Sequence, residues 1–217
     1  MAPWRGRTCS LLCCCPAALL LLLGLARGAA AAGGGGTVTA SCPLAAVDCT
    51  AELQAALTAP AAHTVVVPAF PRAVWPVLPL FMSNASASNR RVVFESGVTV
   101  EAIRGAFKNG DSSLLLCMNI ENVTFEGAGA TFLMHRADYA NHHKYNHSES
   151  RMGLELHGVA NVTVTGLNIS STGGDGIYIS GNGHHVTLSN GTRDFVSVRN
   201  ESRDITIADV HCHNNYR

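Results

Sequence analysis

Glu155 and Tyr178 lie 23 residues apart, at equivalent places in two adjacent copies of a repeat. Both fall on the outward side of their segments. A carboxylate beside a phenol can bind a sugar ring or transfer a proton. Asp175, within Gly173-Gly174-Asp175-Gly176, would add a second carboxylate nearby. Plainer readings stand beside these. The Glu155–Tyr178 pair also fits an ordinary ladder contact on a surface, and Asp175 fits a turn residue in a glycine-rich bend. His157, His211 and His213 are candidate substrate contacts; the last two alternate around Cys212, so both face outward. His142, His143 and His147 crowd one polar segment, and His184 and His185 another. A transition metal needs three or four converging ligands, and this spacing forces none, so no metal site is assigned. A single histidine can still act as an acid or base.

These side chains need a rigid platform, and the repeats predict one. Asn122-Val123-Thr124-Phe125, Asn161-Val162-Thr163-Val164 and Asp204-Ile205-Thr206-Ile207 are near copies of one short strand. Side chains in a strand alternate between faces. Val123, Val162 and Ile205 therefore form one inward column, and Phe125, Val164 and Ile207 the next. A second strand recurs as Leu115–Cys117, Leu154–Leu156 and Ile177–Ile179, which puts Leu116, Glu155 and Tyr178 outside. A third short strand matches Leu167 and Ile169 to Val210 and Cys212. The step of 23 residues from Gly153 to Gly176 is about one turn of a parallel β-helix, whose repeats must stack to bury a core. Longer steps of 39 and 43 residues place polar insertions at roughly 135–151 and 183–201. The prolines at 68, 71, 76 and 79 predict an irregular loop, and Val92–Phe94 with Val98–Val100 the first coil.

Residues 1–32 read as a signal peptide: Arg5 and Arg7, an apolar run from Leu11 to Leu25, then small residues. That run is short for a membrane span. Cys13, Cys14 and Cys15 inside it leave an acylated anchor as the alternative. Residues 33–41 read as a flexible linker and 42–217 as the β-helix domain, large enough for a sizeable core. Cys42 and Cys49 are close enough to pair in an oxidising compartment. They would staple a helix over Ala51–Leu57 that covers the open end of the coil. Cys117 and Cys212 fall in core columns, as buried thiols or a disulfide. Formal net charge is zero and no Lys/Arg cluster occurs, which gives nucleic-acid binding no electrostatic support. Seven Asn-x-Ser/Thr sequons agree with secretion. Asn146, Asn190 and Asn200 in the insertions are the better acceptors, whereas glycans on neighbouring Asn122 and Asn161 would crowd. Aligned on the repeat, Arg217 falls mid-turn, predicting an N-terminal fragment of a longer solenoid.

The repeats, with Asp175-Gly176-Ile177, resemble the right-handed parallel β-helix proteins of the pectin-lyase-like superfamily. The likeness spans about residues 50–217. It implies an all-β, right-handed parallel solenoid with a short N-terminal capping helix, secreted or at the cell surface. It also implies polysaccharide as partner, through a pectin-type lyase, glycoside hydrolase or uronate epimerase activity, or through a non-catalytic glycan-binding or structural role. Asp175 and Gly176 match the end of the polygalacturonase Asn-Thr-Asp-Gly motif, whose Asp is a catalytic carboxylate. Gly173 and Gly174 replace the Asn and Thr, and Tyr178 replaces a further Asp. The candidate catalytic residues are therefore Asp175, Glu155 and Tyr178. The family's use of calcium-held uronates implies calcium as a cofactor, with Asp138, Glu149 and Glu155 as contributors.

Overall fold

The structure, a computed structural model, describes residues 36–180, 202–216 and, for backbone alone, 184–189 and 196–198. The chain winds as a parallel solenoid of three sheets. The first sheet contains Thr37–Thr39, Thr64–Val67, Arg90–Phe94, Glu121–Glu126, Ala160–Thr165 and Arg203–Ala208. The second runs through Leu80–Ser83, Leu115–Met118, Leu154–His157 and Ile177–Ser180, and the third through Val74–Val77, Thr99–Ala102, Thr131–Leu133, Asn168–Ser170 and His211–His213. Every strand pair is parallel, and the inward columns meet in the expected register: Val123, Val162 and Ile205 are cross-strand partners, as are Phe125, Val164 and Ile207. Leu154 pairs with Ile177, as the 23-residue step requires.

The core is the space the three sheets enclose. Phe94 and Phe132 meet there edge to face, with ring centroids 5.1 Å apart. Cys117 and Cys212 are buried free thiols. Burial, with the Glu155 charge adding to it, pushes the Cys117 thiol far above its ordinary range. Burial and then the Asp175 charge push Cys212 up to about 12. Both are thus inert as nucleophiles.

Sharp corners between sheets come from residues with positive φ, which favours Asn, Asp and Gly. Asn89, Asn122, Asn161 and Asp204 repeat one such corner at φ 52–55°. The Asn161 amide nitrogen donates to the Asn122 side-chain oxygen at 2.8 Å, and the Asn122 nitrogen to Asn89 at 2.9 Å, forming a ladder up the outside.

The N-terminal end is closed by a helix, Thr50–Leu57, with Leu53 and Leu57 buried. An open end would present unpaired backbone groups. Gln54 answers this at the edge strand Leu80–Ser83: its amide accepts from Phe81 N–H at 2.8 Å and donates to the Phe81 carbonyl at 2.5 Å. Cys49 N–H donates to the Pro76 carbonyl at 2.7 Å. A disulfide joins Cys42 to Cys49. Its short loop, seven residues in separation, restricts the unfolded chain modestly. Converting both cysteines to serine is expected to remove about 2.5 kcal/mol of stability, read as a lower urea midpoint; an unchanged midpoint would show that the staple does not hold the cap.

Three expectations are corrected. The proline-rich stretch is not wholly irregular, for it holds Val74–Val77 and Leu80–Ser83. Pro76 is tolerated because its strand is the edge of the third sheet, where a missing N–H costs no ladder bond. The linker assigned to 33–41 includes Thr37–Thr39, paired in parallel with Thr64–Val66. The insertion at 183–201 contains two strands: His184–Ser189 lies outside Arg203–Ala208, and Val196–Val198 pairs with Ile177–Ile179. Expectations for residues 1–32, Asn190, Asn200 and the side chains of His184 and His185 lie outside the described residues. Among those described, no helix is long and apolar enough to cross a membrane.

Candidate functional site

Glu155 and Tyr178 are direct cross-strand partners on the outer face of the second sheet. Strand alternation adds His157 to that face, two residues beyond Glu155. Its Nε2 lies 2.6 Å from Glu155 Oε1, and its ring centroid is 6.0 Å from that of Tyr178. The Ser113 hydroxyl donates to the other carboxylate oxygen of Glu155. Glu155 is thus anchored on both oxygens, with a side chain 15 % exposed, while His157 at 37 % remains open to solvent. This arrangement can accept and donate hydrogen bonds at once. The carboxylate fixes the imidazole, as an acid–base pair requires.

Asp175 is placed elsewhere. It is 5 % exposed, lies near enough to Cys212 for its charge to act on that thiol, and sits in a tightly tied turn. Thr172 Oγ1 donates to the Gly174 carbonyl at 2.7 Å, Thr172 N–H donates to Asn215 Oδ1 at 3.1 Å, and Gly173 N–H donates to the Arg151 carbonyl at 3.0 Å. The glycines are needed because the chain at Glu149–Met152 crosses against them. A Cβ on Gly174 would strike the Glu149 carbonyl, and one on Gly176 would lie 2.5 Å from Cys212 Sγ. His211 and His213 are exposed on the third sheet, opposite Asn168 and Ser170, and do not join the Glu155 group. Asn146 is exposed.

The calcium set does not assemble. Asp138 is bound by Arg104 at 2.8 and 2.9 Å, and Glu155 by His157 and Ser113. Among the described residues no group of three His, Cys, Asp or Glu is placed to hold a metal.

The first insertion has an ordered anchor that its polar composition did not reveal. Arg151 is fully buried, with its guanidinium 5.0 Å from the Tyr139 ring and 5.8 Å from the Tyr145 ring. It donates to the carbonyls of Phe107, Lys108 and Asn146 at 2.7–3.0 Å. Met134–Arg151 is thereby folded onto the third sheet's exit turns. The alternation of aromatic Tyr139 and Tyr145 with a lone Arg151 was the available signal.

No family model and no curated protein matches the chain. Among solved structures, a Parabacteroides merdae protein described as a "putative glycosyl hydrolase" superposes with a TM-score of 0.52 at 13% identity, covering 82% of this chain and 98% of that one. At that identity the likeness is one of fold.

Proposed function

We propose that this is a secreted solenoid, wound right-handed, that engages extracellular carbohydrate across the outer face of its second sheet. The observation that carries the reading is the Glu155–His157 pair at 2.6 Å beside Tyr178. A phenol ring offers a platform for the apolar face of a sugar, and the carboxylate and imidazole offer paired acceptor and donor to its hydroxyls. The described residues of this face include no Lys or Arg, so neutral sugars suit it better than polyanions. The glycosyl-hydrolase description of the structural neighbour supports a carbohydrate ligand. The disulfide and the predicted leader support an extracellular location. Hydrolysis in its usual form uses two carboxylates flanking the bond; among the described residues of this face Glu155 is the one carboxylate, and binding is the reading put first. The short Glu155–His157 contact favours proton transfer as the second reading.

The test is binding to a panel of immobilised neutral polysaccharides, with products assayed in parallel. Glu155→Gln and Tyr178→Ala are each expected to weaken binding at least about tenfold, the scale of a lost charged hydrogen bond. Unchanged binding by both variants would refute the reading. Product release abolished by Glu155→Gln would establish the catalytic form.

A further inference from the structure

A second concavity lies away from the Glu155 face. It is a cleft of about 410 Å³ between the folded insertion and the exit turns of the third sheet, and its walls include Arg136, Tyr139, His142, His147, Asn214 and Tyr216. The volume is within the range of small-molecule sites. Its lining has a one-sided chemistry, for among the described residues it contains Arg136 and two histidines and no Asp or Glu.

The basic groups are also uncommitted. Among the described residues the Arg136 side chain makes no hydrogen bond or ion pair; its guanidinium lies 5.9 Å from the Tyr216 ring centroid. The His142 and His147 rings face one another at 5.1 Å, tilted by 30°, with no hydrogen bond from either ring. Asp138, the nearest carboxylate in sequence to Arg136, is already held by Arg104. An arginine presents a planar donor fork that matches an oxyanion, and its cost of ordering falls when an aromatic ring supports it. Tyr216, about half exposed, supplies a flat wall on which a ring can stack. The floor is fixed, since Tyr139 is pinned by Arg151 and Gly173 leaves room beside it.

We propose that this cleft binds a small oxyanion carried on a ring, the anion against Arg136 and the imidazoles and the ring against Tyr216. The site is independent of the carbohydrate reading of the Glu155 face. Two sources share the chemistry, a sugar carboxylate and an aromatic sulfate. The probes are therefore glucuronate, phenyl sulfate and neutral glucose, titrated calorimetrically into the full secreted chain.

At least one anion is expected to bind, and glucose at least tenfold more weakly than glucuronate or not at all; the tighter anion identifies the source. Arg136→Gln should weaken anion binding at least tenfold, and the double variant His142→Gln, His147→Gln several-fold. Raising the salt to about 0.5 M should weaken it further, as screening of an open ionic contact demands. Arg136 is exposed, so its replacement leaves the fold intact. Glu155→Gln should leave anion binding unchanged, which separates failure of this site from failure of the carbohydrate face. The proposal is overturned if neither anion binds, if glucose binds as well as glucuronate, or if Arg136→Gln binds both anions as the parent does.

Discussion

Replacing Arg151 by alanine is expected to lower the unfolding free energy by about 3 kcal/mol, from three lost charged hydrogen bonds and the aromatic contacts of a desolvated cation. For a domain of this size that is a fall of roughly 10 °C in Tm. The substitution strips a donor from the carbonyls of Phe107, Lys108 and Asn146, which belong to two separate segments; Lys108 keeps the Asn146 N–H at 3.0 Å, and Ser148 still bonds the Gly110 carbonyl. Tyr139 and Tyr145 lose the group that holds them against each other at 5.3 Å. Anion binding in the neighbouring cleft should disappear with the order of the insertion, while carbohydrate binding by the Glu155 face should persist. Arg151→Lys separates charge from geometry: an ammonium cannot reach three carbonyls as a planar fork does, so it should recover only part of the loss. Urea denaturation checks both variants. A change below about 1 kcal/mol for alanine would mean that the insertion is held by other contacts.

The Gly174→Ala variant is expected to lose about 3 kcal/mol through overpacking. The added methyl would meet the backbone carbonyl of Glu149, which cannot swing aside like a side-chain tip, and would come within 2.8 Å of Met152 Sδ. The turn that carries Asp175 must then shift. Asp175→Asn is the useful companion. It leaves the glycines alone, so loss of activity without loss of stability would return Asp175 to a catalytic role, and loss of stability alone would keep it as a turn residue.

Positions repeated at fixed register were readable from the chain, because a solenoid requires like residues to stack. Glu155 beside Tyr178, the columns of Val123 and Phe125, and the Cys42–Cys49 staple follow from period and spacing. Where a copy deviates from the pattern, the signal fades. His185-Val186-Thr187-Leu188 repeats the same strand with histidine in the asparagine corner, and was assigned to a polar insertion. Its backbone is nevertheless in register with Ile205, Thr206 and Ile207. Pro76 concealed a strand because edge position is a tertiary property. The motif left Asp175 as either a turn residue or a carboxylate for catalysis; its burial depends on the insertion that presses on Gly173 and Gly174, a contact no local pattern encodes. The Glu155–His157 pair was half visible: alternation puts both residues on one face, and only the fold brings Ser113 to lock them.

The stacked asparagine corners also make the sequence of biosynthetic events matter. Asn122 and Asn161 each sit in a glycosylation sequon, yet each uses its amide nitrogen to bond the rung below. A sugar transferred to that nitrogen takes a donor hydrogen and brings bulk to a corner where coils lie about 4.8 Å apart. In a chain that follows the proposed secretory route, folding and modification would compete at these two positions. A chain that closes its coils quickly hides both acceptors, and a chain that is glycosylated first carries a wedge between rungs. On that route, sequon occupancy at Asn122 and Asn161 would be a timer that records how fast this solenoid zips up.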